Sequence, residues 1–467
     1  MNSKPLTYDS LKTVIQYMEP NTRFLLSSRC PSIRVLEKTV PLKVDELVFG
    51  GNFIRVNRKV YDYGLYQVDC KDAPWKISGY SSLNERWTDN VDEFGIRDFV
   101  TKAGGVIPGN GEIFEKTLFG KYDLEKIPTN DGRLEKLKRI LEVEKQRYNQ
   151  LLSFQPEDSL FSNKDERESF DEFERIRYDT VRIYNKKGLE LLKNEEKVKK
   201  AVDFLKERIE HMEHEILPFE NKINNIRPRF EIHISIRQEN SELGVIERLK
   251  YTGDLKKAAY SLIKFMFADR GHTIQVNKIL SPPPCPLDLK IKMKIKEIDF
   301  FGDLSISLKL IKQIMDMSSL PLEKLSIKVD SRDAHEMNQE IIRTAKNLDL
   351  GVNDDRIFSF VQNIKNQRVK CNVHSDYFLK NDKFINLIKN WVEVDKPIGT
   401  CFKFHFHAIK EVSSIKILNH VRHRINGAIF GNKCVNIPMN NSKTLKISYE
   451  QLPACNFRIK MTVVSIE

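Results

Sequence analysis

The stretch IKEIDFFGDLSISLKLIKQIMDMSSLPLEKLSI, residues 295–327, decides the architecture of the C-terminal half. Its two ends, Ile295-Lys-Glu-Ile298-Asp-Phe300 and Leu322-Glu-Lys-Leu325-Ser-Ile327, carry the same pattern, L-x-x-L-x-L, and stand 27 residues apart. Each reads as a strand, and a helix is expected between them from about Ser305 to Met317. Further strands follow at RVKCNV (368–373), CFKFHF (401–406), KTLKISYE (443–450) and FRIKMTVV (457–464), with helices near 376–391 and 411–425. Alternation of this kind predicts an open sheet covered by helices.

The interval between the two copies lies in the leucine-rich-repeat range. RVKCNV lacks the full motif, so the segment fits either an irregular leucine-rich-repeat-like layer or a generic α/β sandwich. Just upstream, LKIKMKIKEI (289–298) places Lys290, Lys292, Lys294 and Lys296 on one strand face, with Leu289, Ile291, Met293 and Ile295 on the other. A solvated face accounts for these lysines, and a basic groove is the alternative. The run SPPPCP (281–286) is stiff and extended and separates a C-terminal α/β unit at 287–467 from what precedes it.

Working back, RFEIHISIR (229–237) alternates Phe230, Ile232, Ile234 and Ile236 on one face and forms a hairpin with VIERLKY. An amphipathic helix from Leu255 to Phe267 and a strand at 272–279 complete a ββαβ unit at 227–280. The charged segment 133–220 has helical period. Leu134, Leu137, Leu141, Tyr148 and Leu151 keep 3-4 spacing, as do Leu191, Val198, Val202, Leu205, Ile209, Met212 and Ile216. Two arms joined near 156–165 predict an antiparallel helical hairpin that ends at Pro218, with a break or bend at Gly188. It serves either as a spacer or, through 190–216, as a coiled-coil seam for self-association. Residues 41–132 form a small β-rich unit, with a hairpin turning at Asn57-Arg58, Gly64 at a bulge or bend, and a surface loop at GGVIPGNG (104–111).

At the N-terminus, Tyr8, Leu11, Ile15 and Met18 recur at helical spacing, Val14 widens the stripe, and Thr7 is placed to cap the helix. Pro20 punctuates, Asn21 or Thr22 is expected to cap a second helix carrying Phe24 and Leu25, and Pro31 opens a third with Ile33, Val35 and Leu36. Three helices this short cannot enclose a core alone, so apolar surface is left to meet the next domain or another protein.

The run PLTYDSLKTVIQYMEPNTRFLLSSRCPSIR (5–34) resembles an F-box, the module by which substrate receptors dock on the adaptor of SCF-type ubiquitin ligases. The order here is Pro5-Leu6 where most F-boxes open Leu-Pro, and Ile33 stands where most carry Trp. With RFEIHISIR…IERLKY, NWVEVDKPIGTCFKF (390–404) and GNKCVNIPMNNSKTLKISYE (431–450), the chain is similar to the nematode F-box C proteins, which carry a nematode domain of unknown function. The resemblance implies an F-box-like helical module at 1–40, whose adaptor contact is formed or supported by Leu6, Leu11, Ile15, Met18, Phe24 and Leu25. It also implies a target held by the C-terminal unit.

Composition limits the alternatives. A 467-residue chain with 40% hydrophobic and 30% charged residues is long enough for several folding units. No run of 18 apolar residues and no signal-peptide pattern occurs, and the seven cysteines are odd in number, scattered and without a C-x-x-C pair. An intracellular protein with reduced thiols, in cytoplasm or nucleus, is expected. The net charge of +12 and pI near 9.1 raise nucleic acid as a partner, but no RNP consensus is present. His405 and His407 share a strand face, and His420/His423 and His211/His214 each lie one helical turn apart. None of these pairs has acidic or thiol ligands at motif spacing, and solvated faces explain them, so no metal or cofactor is expected. No nucleophile, kinase or nucleotide fingerprint occurs. The expectation is a multidomain α+β and α/β protein, a non-catalytic substrate-recruiting subunit of an SCF-like ligase; the alternative is a protein- or nucleic-acid-binding scaffold with no ubiquitin role.

Overall fold

The computed structural model describes residues 7–70, 74–78, 90–98, 130–156, 172–173, 182–238, 244–283, 290–300, 302–329, 331–352, 361, 363–373, 378–380, 382–406, 411–440, 442–452 and 456–466. The loop at 104–111, His407, Cys285, Cys455 and most of the proline-rich linker lie outside them. In chain order the elements begin with helices α1 (Tyr8–Tyr17), α2 (Pro20–Arg29) and α3 (Pro31–Thr39) and strands β1 (Lys43–Phe49), β2 (Phe53–Val56), β3 (Lys59–Gln67), β4 (Trp75–Ser78), β5 (Asn90–Val91) and β6 (Arg97–Asp98). Helices α4 (Asn130–Ser153), α5 (Lys186–Leu189) and α6 (Glu195–Ile223) follow, then β7 (Phe230–Gln238), β8 (Gly244–Lys250), α7 (Lys256–Phe267) and β9 (Ile274–Leu280). The remainder is β10 (Met293–Phe300), α8 (Leu304–Ile314), β11 (Lys324–Val329), α9 (Glu340–Arg343), β12 (Asn347–Val352), β13 (Arg368–Val373), α10 (Asp382–Glu393), β14 (Cys401–Phe406), α11 (Glu411–Arg424), β15 (Ile429–Gly431), β16 (Cys434–Asn440), β17 (Lys443–Leu452) and β18 (Asn456–Ser465).

The chain is mixed α and β and divides into two compact units. One comprises 1–50, 54–60 and 262–467; the other comprises 51–53 and 61–261. In the first, the strands run β15-β16-β17-β18-β14-β13-β12-β11-β10-β9-β1-β2. From β1 through β9 to β14 neighbours are parallel, and β9 to β14 are laid side by side in chain order; the flanking pairs are antiparallel.

One lateral ladder explains why this sheet holds its register. Val56, Leu47, Ile279, Ile298, Leu325, Leu348, Val369, Phe402, Met461, Ile447 and Val435 are paired in turn across adjacent strands, and every one is buried. A slip of one residue anywhere would send that strand's apolar set to the polar face. Helices cover the apolar face: Trp391 of α10 meets Phe402 edge to face at 4.7 Å, and Phe384 meets Phe404 at 5.9 Å. Helix α8 starts one residue before the expected Ser305 and ends at Ile314, three before Met317: Asp303 caps it by taking the Ile306 N–H at 2.9 Å, and Leu304, Leu308, Ile311 and Ile314 are buried. As expected, Ile291, Met293 and Ile295 are buried while Lys290, Lys292, Lys294 and Lys296 are exposed.

The N-terminal helices belong to the same unit. Thr7 caps α1, accepting from Ser10 N–H at 3.3 Å. Helix α2 corrects the expected cap. Pro20 is its first residue, where a missing N–H costs nothing, and Glu19 takes the Thr22 N–H at 3.2 Å. Asn21 is instead buried and donates to the Val56 carbonyl at 3.0 Å. The turn after β2 is the expected one. Asn57 sits at φ 54°, and its side-chain oxygen accepts from the Asp45 and Glu46 N–H groups at 2.9 and 3.1 Å.

In the second unit β3 pairs with β4, and β3, β7 and β8 are neighbours in that order. The β3 irregularity falls at Leu65/Tyr66, one residue past the glycine expected to carry it. Helices α4 and α6 form the antiparallel hairpin. Leu137 and Ile140 cluster with Met212, Ile216 and Phe219, and Leu151 clusters with Leu192, Val198, Ala201 and Leu205. The apolar stripe of 190–216 is thus packed inside the hairpin. A break does occur near Gly188, where α5 stops at Leu189 and Asn194 caps α6 through the Lys197 N–H at 3.0 Å. Pro218 does not end α6, which continues to Ile223. Proline removes one backbone bond, and burial of Ile216 and Phe219 on either side holds the helix together.

Candidate functional site

Two surfaces can bind. The first is made by α1–α3. Ile15, Leu36 and Val40 close a small core of their own, with Leu11, Met18 and Ile33 packed partly against it. Phe24 is buried and lies edge to face with Phe267 at 5.9 Å, and Leu25 is half-buried. Leu6 lies outside the described residues. Of the residues read as the adaptor contact, Ile15 and Phe24 therefore support the helices from within, while Leu11, Met18 and Leu25 reach solvent in part. Side chains outside that proposed contact set are more exposed: Tyr17 at 84%, Val35 at 74% and Val14 at 40%.

Beneath that surface is a buried ion cluster. The Glu37 carboxylate receives Arg23 Nε at 2.9 Å and both terminal nitrogens of Arg270, at 3.0 and 3.1 Å. Arg23 also donates to the carbonyls of Glu37, Val40 and Pro41 at 3.2, 3.0 and 2.8 Å. Arg270 donates to the Met266 carbonyl, so α2, α3 and the end of α7 are tied at one point. All three charged side chains are at most 3% exposed.

The second surface is the polar face of the sheet at β12, β13, β14, β18 and β17. Alternation sends Val369, Cys371, Phe402, Phe404, Ile459 and Met461 inward, and the residues between them outward. Register then sets them in rows. Asp349, Lys370, Lys403 and Lys460 are successive neighbours in one; Asn372, His405, Arg458 and Glu450 in the next; Arg368, Cys401, Thr462 and Lys446 in a third. The ion pairs lie at the margins. Lys370 approaches Asp349 at 3.4 Å, and Arg458 and Lys460 reach Glu450 at 2.7 and 3.2 Å. Lys403, in the middle, pairs with no carboxylate among the described residues. The face is open to solvent: the Lys370 side chain is 41% exposed and that of Lys460 33%.

The electrostatics follow. Burial, with Lys370 and Arg458 beside it, pushes His405 down to about 4, and Asp349 opposes this only in part. Its imidazole is neutral at pH 7, and its Nε2 is buried with no hydrogen-bond partner among the described residues. Burial pushes the Glu450 carboxyl up, but the bonds and charges of Arg458 and Lys460 outweigh it and leave its pKa lowered. Burial pushes the Cys371 thiol up, away from reactivity.

His214 stacks on Trp75 with centroids 3.6 Å apart, His420 is half-buried and His423 exposed. Among the described residues no three His, Cys, Asp or Glu side chains are grouped to hold a metal ion, the five described cysteines are free thiols, and no helix is long and apolar enough to cross a membrane. The cationic rows were not legible in the sequence. Their members come from segments far apart in the chain, each with only one to three charges, and only strand register assembles them.

No curated protein and no solved structure matches the chain, and no F-box family match accompanies the N-terminal resemblance. Residues 254–408, which take in β9 to β14 and with them Lys370, Lys403 and His405, match the profile of a domain of unknown function, DUF3557.

Proposed function

We propose that this chain is a substrate-recruiting adaptor of an SCF-like ubiquitin ligase, acting inside the cell by protein–protein binding alone. Helices α1–α3 dock the ligase's adaptor subunit, and the C-terminal sheet, repeat-like in its side-by-side parallel strands, holds the target. The chain then supplies position, raising the effective concentration of the target at the ubiquitin-carrying enzyme. The observation that carries the reading is the N-terminal module itself. Its helices satisfy their own core through Ile15, Leu36 and Val40 and still present Val14, Tyr17 and Val35 to solvent, on a segment whose wording resembles an F-box.

The test is capture of the SCF adaptor by the full chain, beside Tyr17→Asp and Val35→Asp, which place charge on the exposed face without touching the core. Capture by the wild type and loss in variants with unchanged circular dichroism support the reading; a folded wild-type chain that captures nothing refutes it. A binding scaffold without a ubiquitin role is the second reading, favoured by the cationic rows, which need no N-terminal docking to function.

A further inference from the structure

We propose that the cationic rows on β13, β14 and β18 are a docking surface for a short Asp/Glu-rich segment of the partner protein. This deepens the recruiting role proposed above and rests on it for the occupant being a protein. Adjacent strands lie about 4.8 Å apart, so Lys370, Lys403 and Lys460 span about 10 Å, and neighbouring rows are about 7 Å apart along the strands. Like charges directly opposite one another on a sheet destabilise it. Lys403 stands between two such lysines with no carboxylate of its own among the described residues, and Arg368 and Lys446 extend the positive field through the adjoining row. An incoming carboxylate relieves that repulsion, which makes the face complementary to negative charge.

The shape of the field selects the occupant. Asp349 stands at the β12 end of the first row and Glu450 at the β17 end of the second, so an acid bounds each of these two rows, on opposite sides, while the Arg368–Lys446 row has none. A nucleic-acid backbone needs a track that continues beyond a few phosphates, and these acids interrupt it in two of the three rows. Single-stranded nucleic acid also relies on aromatic platforms, whereas Phe402 and Phe404 point into the core and the outward residues of these strands are Lys, Arg, Asn, His, Cys, Thr and Val. A peptide with a few carboxylates fits the size of the patch and requires no stacking.

The test uses the full chain and fluorescence anisotropy with four labelled probes: an Asp/Glu-rich decapeptide, its Asn/Gln counterpart, a singly phosphorylated neutral decapeptide and a thymidine oligonucleotide. The acidic decapeptide is expected to bind most tightly, and Lys403→Glu to weaken it at least about tenfold, as reversal of a central charge should. Lys403→Gln gives a smaller loss in the same direction and serves if the reversal disturbs folding. Lys309→Glu, an exposed position on helix α8, is expected to change nothing. Equal binding of the Asn/Gln peptide, tighter binding of the phosphopeptide or oligonucleotide, or an equal effect of Lys309→Glu overturns the proposal. Tyr17→Asp bears on adaptor docking alone and is expected to leave peptide binding intact, so the two readings fail separately.

Discussion

Replacing Glu37 by alanine should be among the most damaging single changes in the first unit. The carboxylate is the one negative charge between two guanidiniums, Arg23 and Arg270, with contacts of 2.8 to 3.1 Å and almost no solvent. Its removal leaves two cations buried side by side. Breaking a buried pair from one side costs about 3–5 kcal/mol. The lower half of that range applies here, because Arg23 keeps three backbone carbonyl acceptors and Arg270 keeps that of Met266. At roughly 2–4 °C per kcal/mol for a unit of this size, a loss of about 3 kcal/mol lowers Tm by roughly 6–12 °C. Urea unfolding of the full chain followed by circular dichroism reads the change. The affected transition should be the one that also moves with Phe402→Ala, in the same unit, and not the one that moves with Met212→Ala, in the other. Replacing all three members by methionine should recover most of the loss, since the desolvation cost disappears with the charges. A Glu37→Ala loss below about 1 kcal/mol, against the 3–5 expected for a broken buried pair, would refute the idea that this carboxylate holds α2, α3 and the end of α7 together.

Phe402→Ala removes a fully buried ring from the lateral ladder and from its contact with Trp391, and should cost about 3–5 kcal/mol in urea unfolding. Met212→Ala, at the centre of the helical hairpin, should cost about 2–4 kcal/mol in the second unit and leave the first unchanged. His405 makes stability depend on pH with a definite sign. Its folded pKa, about 4, lies below the ordinary 6.5 because of burial and the neighbouring Lys370, Arg458 and Lys403, with only Asp349 opposing. The unfolded chain therefore takes up the proton first, and stability is lost as pH falls from about 6.5 toward 4. His405→Asn should flatten that part of the pH profile, and an unchanged slope in the variant would show that other groups set it.

The strands and helices were legible because their periods are strong. Alternation in MKIK, at the start of β10, and in KLSIKV, and the 3-4 spacing of Leu304, Leu308 and Ile311, assign inward and outward faces whatever lies beside them. Local chemistry misled where a side chain had a distant use. Asn21 has the composition of a cap, but Val56 takes its amide; Pro218 has the composition of a stop, but buried neighbours carry the helix past it. Ile15 was legible as an apolar residue on a helix stripe, but its burial between α1 and α3 was not, because it depends on Leu36 and Val40.

Consecutive residues were enough to show which faces are apolar, where turns such as Asn57-Arg58 fall, and that the N-terminal helices leave side chains without cover. Periodicity is a property of consecutive residues, and no neighbour is needed to read it. Tertiary structure alone decided which strands are neighbours, and with that what meets across them. Glu37 finds Arg270 only because the helices and the end of α7 come together, and Lys370, Lys403 and Lys460 become one charged surface only because β13, β14 and β18 pair in this register. Charge acts through space over a few ångströms, and sequence distance carries no record of that separation.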